Sequence, residues 1–375
     1  MKTHIPLAKP YFDQLEIEEI KKVLDSGWVS QGPEVKKFEN AVAKYVSAKY
    51  AIAVSNCTAA LHLANLSIGI SKGDEVIVAD YTFPATGHSV LYCGATPVFV
   101  DIDPETYNID PGKIEEKINK KTRAIIPVHT FGQAADMDPI LEIAEKYDLR
   151  VIEDAACALG AKYKSKFVGT MGDIGCFSFH ARKGITTGEG GMVVTNDNTI
   201  ADMIRHLSVF GMRTAWDRES AQKFTIPEFV DIGYNYKMSD ILAAVGIIQL
   251  RKIEKIIARK RELAQYWNEK LIDLNYFEPP LESPGNYHIY QSYVATVEKK
   301  ISRNRLIENL LKQGIQTQIG TYASHIQPVY QYTKKCPISF DIFSRSIALP
   351  LYYDLKIDEI DLIIDRIQKE IRLLK

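Results

Sequence analysis

Apolar residues in the first half of the chain form short unbroken runs, and the segments between several of these runs carry apolar residues at helical spacing. An unbroken apolar run predicts a strand that is buried on both faces. Such runs occupy 50–56, 74–80, 96–103, 123–130, 150–156, 172–180 and 190–197. Segments such as 59–69 and 137–148 have the spacing of helices. Alternating strands and helices indicate an α/β fold with a large, mostly parallel seven-stranded sheet that is covered on both sides.

The second half of the chain begins with a long helical pattern at 238–271. Its middle, RKIEKIIARKRE, is rich in charge, and the apolar residues Leu250, Ile253 and Ile256 keep helical spacing beside it. We interpret this charged run as a solvated helix face. Beyond it, strand and helix patterns alternate at 290–297, 302–313, 314–321 and 357–374.

These patterns divide the chain into three segments. We expect an N-terminal segment (1–30) that packs near the active site, a large cofactor-binding domain (31–250) and a smaller C-terminal α+β domain (251–375). Neither a sequence repeat nor a low-complexity tract interrupts them.

Composition narrows the class of partner. Lysine and arginine number 46 against 47 aspartates and glutamates, which gives a net charge of −1 and no electrostatic footprint for nucleic acid or membrane. The first 20 residues lack the apolar core of a signal peptide, and no stretch approaches a membrane span. The five cysteines show no CxxC pair, which argues against a zinc site or a disulfide framework. A cytoplasmic protein without a metal is therefore expected.

Candidate chemistry gathers where the predicted strands end. The segment FSFHARKGITTGEGG places Lys183 between an aromatic strand and a glycine cluster, and Asp154 ends the strand RVIED. Other strand ends supply Ser55–Thr58, Tyr81–Phe83 and His129. Because ligands collect at the carboxyl ends of an open parallel sheet, these groups form a candidate pocket.

The set matches the needs of pyridoxal 5′-phosphate. Its aldehyde needs a lysine amine, here Lys183, and its pyridine nitrogen needs an acidic partner, here Asp154. Its phosphate needs backbone N–H groups at a helix N-terminus, which SNCTAALHLA supplies. Ser178 can add a hydroxyl, and Phe83 can cover one face of the ring.

Each feature also has a plainer interpretation. Lys183 can be a surface lysine, Asp154 a helix cap, Phe83 a core residue and the Ser-Asn-Cys-Thr segment an ordinary N-cap. His129 and His180 are interpreted as structural, and GTMGDIG lacks the dinucleotide-binding spacing. The convergence of several signals at the strand ends of one sheet favours the cofactor site.

The chain resembles the DegT/DnrJ/EryC1/StrS family of sugar aminotransferases, which have the aspartate-aminotransferase fold (PLP fold type I). The resemblance spans nearly the whole length. Its motifs are GWVSQGPEVKKFE, SNCTAALHLA, DYTFPAT, TPVFVDIDPETYNIDP, VIEDAACALGAKY, FSFHARKGITTGEGGMVVTND and GYNYKMSD.

The resemblance implies roles for particular residues. Lys183 would be the Schiff-base former and proton shuttle, and Asp154 the partner of the pyridine nitrogen. Phe83 would stack on the ring. The phosphate would be held by Cys57, Thr58, Ser178 and, from the neighbouring subunit of a homodimer, Asn235.

Two positions depart from the family pattern. Cys57 stands where the phosphate loop usually has glycine, and Cys157 stands where relatives have Gln, His or Glu near the ring hydroxyl. Since a thiol is a weak donor, the second contact is in question. Position 183 also separates two chemistries, because dehydratase relatives carry histidine there, so Lys183 favours transamination.

The resemblance implies that L-glutamate donates its amino group to a nucleotide-linked keto-sugar, which yields an amino sugar for surface polysaccharide or glycan. A 4-keto-6-deoxyhexose is favoured; a 3-keto-sugar and the nucleotide (GDP, UDP or dTDP) stay open. Ser30, Gln31, Tyr322 and His325 are candidate sugar contacts, or else surface and packing residues. Burial and the cationic ring are expected to lower the pKa of Lys183, which frees the amine for proton transfer. The alternatives are a PLP-dependent dehydratase and a non-catalytic PLP-binding sensor.

Overall fold

The computed structural model describes residues 4–212 and 226–374; the parts of the predicted segments at 1–3, 213–225 and 375 lie outside them. The helices of the described residues are α1 (Gln14–Ser26), α2 (Pro33–Val46), α3 (Cys57–Ser67), α4 (Ala85–Tyr92), α5 (Met137–Tyr147), α6 (Asn198–Ser208), α7 (Asp240–Leu274), α8 (Arg303–Lys312), α9 (Pro337–Arg345) and α10 (Ile357–Leu374).

The strands of the described residues are β1 (Tyr50–Val54), β2 (Glu75–Ala79), β3 (Tyr81–Thr82), β4 (Thr96–Val100), β5 (Thr122–Ile126), β6 (Arg150–Asp154), β7 (Lys162–Tyr163), β8 (Lys166–Phe167), β9 (Ile174–Ser178), β10 (Gly191–Thr195), β11 (Phe277–Glu278), β12 (Asn286–Tyr287), β13 (Tyr293–Val297), β14 (Gln318–Ile319), β15 (Tyr322–Ala323) and β16 (Ser346–Leu349).

The large sheet has seven strands in the order β1-β10-β9-β6-β5-β2-β4. The neighbours β4, β2, β5, β6 and β9 run parallel, whereas β10 runs antiparallel to β9 and to β1. The predicted mostly parallel seven-stranded sheet is therefore confirmed. Because the parallel strands share a direction, their carboxyl ends meet along one edge.

Both faces of this sheet are buried, as the unbroken apolar runs predict. Successive residues of one strand enter opposite clusters: Ala53 and Ile77 pack on the face covered by α2, α5 and α7. Ile52 and Val78 pack on the other face, under α3, α4 and α6. The alternation of strand side chains thus sends every second residue to each helical layer.

A second core lies towards the C-terminus. It joins the later turns of α7 to α8, α10 and a four-stranded sheet in the order β11-β13-β16-β14. Helix α7 contributes to both cores: Ile253 packs in the cluster that α2 and α5 cover on the large sheet, and Leu263 packs in the C-terminal core. The predicted limits of the three segments remain a prediction. Across the described residues, the helices are too short or too polar for a membrane span.

The charged run of α7 is not wholly a solvated face. Lys252 and Lys260 are buried, at 9% and 5% exposed, whereas Arg251, Glu254 and Lys255 face solvent. The prediction of a solvated face is wrong for these two lysines. A long lysine side chain can lie within a helix interface when acceptors bind its amine.

A buried carboxyl group fixes the edge of the large sheet. Glu39 of α2 is 6% exposed, and its Oε1 accepts the N–H of Ala53 in the edge strand β1 at 2.8 Å. Burial raises the pKa of Glu39 to about 7, against the opposing influence of this hydrogen bond and of the charges of Arg205 and Lys36. The protonated form is therefore favoured in the folded chain below about pH 7.

We predict that Glu39→Gln changes how stability depends on pH. A carboxyl group whose pKa is raised on folding contributes stability at low pH, and this is lost as the pH rises from about 4.5 through about 7. The glutamine variant does not titrate and keeps its stability over this window. The difference between its free energy of unfolding and that of the wild type should therefore rise by up to roughly 3 kcal/mol as the pH increases. Urea denaturation across pH measures the gain, with exposed Glu18→Gln as control. A pH-independent difference would contradict the prediction.

Candidate active site

A cavity of about 810 Å³ opens at the carboxyl ends of the large sheet, and we call it the strand-end cavity. Strands β1, β2, β5, β6 and β9 all end beside it. The predicted site residues that it brings together are Cys57, Thr58, Phe83, Asp154, Ser178, Lys183 and Tyr322. These seven predicted residues thus line one cavity at the expected edge of the sheet, and their roles stay predictions.

The N-terminus of α3 faces this cavity. Asn56 caps the helix by accepting the N–H of Ala59 at 2.8 Å. Among the described residues, no acceptor is seen for the N–H groups of Cys57 and Thr58, which begin the helix. Unpaired N–H groups and the positive end of the helix dipole together suit an anion.

Close packing behind this helix explains the departure at position 57. A Cβ on Gly191 of β10 would lie 2.5 Å from the Asn56 carbonyl oxygen, so only glycine fits there. The Cys57 side chain is 7% exposed and belongs to the apolar cluster under α3. Burial raises the pKa of the Cys57 thiol, which therefore stays protonated. Glycine is required at 191 and not at 57.

Asp154 presents a buried carboxylate at the end of β6. It is 4% exposed; its Oδ2 accepts the Thr86 hydroxyl at 2.7 Å and its Oδ1 accepts the Ala156 N–H at 3.1 Å. Burial raises the pKa of Asp154, and these two hydrogen bonds and the charge of Lys183 oppose the rise. Sequence reasoning missed Thr86, although the residue lies within the DYTFPAT segment.

Lys183 extends its amine into the same cavity. Its Nζ donates to the Cys157 Sγ at 3.0 Å. Burial opposes the charged amine, but the hydrogen bond to Cys157 and the Asp154 carboxylate act against burial, and the pKa of Lys183 is raised. The Asp154 carboxylate favours the ammonium form; the expected lowering also depends on the cationic ring, so for the cofactor-bound site it stays a prediction.

Two aromatic rings flank the mouth of the cavity. Phe83 is 63% exposed, and its ring centroid lies 6.2 Å from that of Tyr322 at an interplanar angle of 61°. The short strands β3 and β15 set this contact by pairing Thr82 with Tyr322. An exposed aromatic face beside Asp154 and Lys183 is available to a flat ligand.

Four predicted residues do not line the cavity. Ser30 is exposed and its carbonyl accepts the Asp240 N–H, while the Gln31 carbonyl accepts the Trp28 indole N–H. The exposed Asn235 accepts a hydrogen bond from Lys237. His325 bonds to Asp80 through Nδ1 at 2.7 Å. The substrate and cofactor roles of the four residues Ser30, Gln31, Asn235 and His325 stay predictions.

The residue before Asp154 supports the site from the opposite side of β6. Glu153 accepts the N–H groups of Gly169, Met171 and Gly172 at 2.6–2.7 Å and pairs with the His129 Nε2 at 2.9 Å. The His129 Nδ1 accepts the Ala135 N–H, so the Nε2 proton is donated to Glu153. This geometry agrees with a structural His129 and gives the GTMGDIG glycines a structural part.

The sequence profile of the DegT/DnrJ/EryC1/StrS aminotransferase family matches residues 10–368. GDP-perosamine synthase of Escherichia coli O157:H7 is 40% identical over 371 residues and 98% of each chain. Spore coat polysaccharide biosynthesis protein SpsC of Bacillus subtilis (strain 168) is 38% identical over 97% of this chain and 96% of its own. The PLP-form structure of Spr1654 from Streptococcus pneumoniae superposes with a TM-score of 0.92 at 27% identity over all of both chains.

We predict that Glu153→Gln destabilises the fold. The amide keeps the shape but points a donor at N–H groups that need an acceptor, which should cost roughly 2–4 kcal/mol of unfolding free energy. Chemical denaturation measures the cost, and exposed Glu142→Gln serves as the control, expected to lie within about 0.5 kcal/mol of the wild type. Equal stability of the two variants would contradict this account of Glu153.

Proposed function

The chain belongs to the DegT/DnrJ/EryC1/StrS aminotransferase family, and we propose that it moves an amino group from L-glutamate to a nucleotide-linked keto-sugar, with pyridoxal 5′-phosphate as cofactor. The observation that carries the proposal is the strand-end cavity, which the Asp154 carboxylate and the Lys183 amine share with the N-terminus of α3. The PLP form among the structural neighbours supports the cofactor.

The residues present fit this cofactor at each of its groups. The free N–H groups of Cys57 and Thr58 would hold the phosphate, with the nearby Ser178 hydroxyl. Phe83 would cover the ring. A volume of about 810 Å³ lies in the ordinary range for a small-molecule site and leaves room for a sugar.

The buried Asp154 is suited to a cationic partner. Its raised pKa reflects a carboxylate that has lost water and that accepts two hydrogen bonds from the described residues, those of Thr86 and Ala156. A protonated pyridine nitrogen beside Asp154 would supply the positive charge that the buried carboxylate lacks. Asp154 would in turn favour the protonated form of that nitrogen. When bound, the cofactor supplies an aldehyde that condenses with amines and a ring that accepts the electron pair left when a carbon loses its proton.

Lys183 would supply the amine and then move the proton. To take a proton from carbon its Nζ must be neutral, whereas the chain's own groups raise its pKa. A positive ring paired with Asp154 would cancel the carboxylate's influence and favour the neutral amine. Cys157, which already accepts from this Nζ, would hold the amine inside the cavity between proton transfers.

The sugar is proposed from the family and its relatives. A 4-keto-6-deoxyhexose linked to a nucleotide is the favoured acceptor, and the product would be an amino sugar for surface polysaccharide or glycan. The names of the perosamine synthase and the spore coat relative support this direction. Tyr322 at the cavity mouth is the best placed of the proposed sugar contacts. The cytoplasmic location is likewise a proposal.

We also propose a homodimer in which Asn235 reaches the partner's cofactor phosphate. Asn235 is exposed and outside the cavity of its own chain. The segment before it exposes large apolar side chains, with Ile226 at 77%, Phe229 at 66% and Ile232 at 90%. Exposed apolar residues at this density are typical of a surface that a partner covers.

We predict that Lys183→Ala abolishes turnover, by roughly a thousandfold or more, because it removes both the attachment point and the proton carrier. Borohydride reduction of the wild type with pyridoxal 5′-phosphate should add the cofactor's mass to the peptide that contains Lys183. Exposed Lys44→Ala is the control and should keep full turnover. Transamination that survives in Lys183→Ala would overturn the proposed mechanism.

Incubation with L-glutamate and a panel of nucleotide-linked 3-keto and 4-keto sugars tests the substrate. Mass spectrometry should detect an amino sugar together with 2-oxoglutarate, in equal amounts. Loss of water from the sugar without amination would indicate the dehydratase alternative. Cofactor attachment with no product from any sugar would favour the sensor.

The dimer proposal predicts complementation between two inactive variants. In a mixed dimer of Lys183→Ala and Asn235→Ala chains, one site has both defects and the other has an intact Lys183 with an intact Asn235 from its partner. Mixing, unfolding and refolding the two should therefore recover part of the wild-type activity. No recovery, from a mixture shown to form mixed dimers, would refute the proposed role of Asn235.

A further inference from the structure

Lys260 is a buried lysine that the proposed chemistry leaves unused. It is 5% exposed on α7, and its Nζ donates to the backbone carbonyl of Gln291 at 2.6 Å. Burial lowers the pKa of Lys260 to about 7, with Cys157 acting in the opposite direction. Across residues 4–212 and 226–374, no carboxylate forms an ion pair with it. Burying an amine without an acid costs folding free energy, so its position calls for a reason.

A chain of hydrogen bonds leads from Lys260 to the active-site lysine. The backbone carbonyl of Gln291 accepts the hydrogen bond from the Lys260 amine, and the backbone N–H of Gln291 donates to the Phe131 carbonyl at 2.9 Å. Its side-chain Nε2 donates to the carbonyl of Arg182 at 2.5 Å. Arg182 directly precedes Lys183, so Gln291 connects α7 with the backbone that carries the amine.

Side-chain packing anchors this backbone after Gly184, where Ile185 and Thr186 are buried, but Arg182 before Lys183 is exposed. A Cβ on Gly184 would meet no atom within 4 Å, and a cavity of about 20 Å³ lies between Lys183 and Lys260. The Lys183 N–H bonds only locally, to the His180 carbonyl at 2.8 Å. The hydrogen bond from Gln291 therefore fixes the main chain at the exposed Arg182, directly before Lys183.

We propose that Lys260 is a positioning residue: by fixing Gln291 it holds the main chain of Arg182 and Lys183 at the strand-end cavity. The inference rests on the proposed role of Lys183. The Lys260 amine is retained despite its cost in stability because it keeps the Lys183 amine in position. Small displacements of a reacting group lower turnover steeply.

Helix α7 offers a matched control two turns earlier. Lys252 is also buried, at 9% exposed, but its Nζ bonds to the Glu16 Oε1 at 2.7 Å and to the Asp13 Oδ1 at 2.8 Å. Glu16 is itself 3% exposed. Removing the Lys252 amine would leave a buried carboxylate unpaired, whereas removing the Lys260 amine leaves only a backbone carbonyl.

The test compares Lys260→Met with Lys252→Met in the full-length holoenzyme. For Lys260→Met we expect a urea midpoint at or above that of the wild type, kcat lowered roughly tenfold or more, and KM for the amino donor nearly unchanged. For Lys252→Met we expect a lower midpoint and near wild-type kcat for the folded enzyme. A Lys260→Met enzyme with kcat within about twofold of wild type, or with a fall in kcat that follows a fall in stability, would overturn the proposal.

A second variant tests the connection itself. Gln291→Leu, which removes the bond to the Arg182 carbonyl, should lower kcat like Lys260→Met, and the double variant should be no worse than either. Multiplying losses would mean independent roles and would overturn the proposal. Labelling distinguishes failure of the proposed function from failure of the Lys260 inference. The measurement is the mass of the peptide that contains Lys183 after treatment with pyridoxal 5′-phosphate and borohydride. A wild type unlabelled at Lys183 rejects the proposed function and the Lys260 inference with it; a labelled wild type whose rate of labelling is unchanged in Lys260→Met rejects the inference alone.

Discussion

Asp154 carries a carboxylate that is 4% exposed, at the end of a strand in the middle of the large sheet. Two hydrogen bonds stabilise its charge, and burial still raises its pKa. Such a group is costly unless a positive partner joins it. The neighbouring Glu153 is buried too, but four donors within the chain stabilise its charge, so it needs no ligand. This difference between the adjacent acids agrees with a structural role for Glu153 and with the proposed cationic partner for Asp154.

The large sheet could be predicted because a strand buried on both faces has an unbroken apolar sequence, as at 50–54 and 75–79. Asp154 and Lys183 were predictable because strand ends meet at one edge. The antiparallel direction of β10 and the Thr86 contact were not, since both depend on where the chain returns in space. The burial of Lys252 and Lys260 had a signal: they lie four residues either side of the buried Ile256, on one helical stripe.

Residues predicted for one site are divided between the strand-end cavity and the outer surface. Phe83, Tyr322 and Lys183 line the cavity, but Asn235 and Ser30 do not. Sequence order carries no record of which copy of a chain supplies a side chain, so a site completed by a second subunit reads as a single set of motifs. The exposed apolar segment before Asn235 supports the proposed homodimer, in which a partner surface would complete the arrangement.

We propose that Asp154 and Lys183 hold opposite ends of one cofactor ring. A crystal structure of the chain with pyridoxal 5′-phosphate tests it most directly. We expect continuous density from the Lys183 Nζ to the cofactor, with the ring nitrogen within hydrogen-bond distance of the Asp154 carboxylate. A cofactor bound away from the strand-end cavity, or one whose ring nitrogen points away from Asp154, would contradict it.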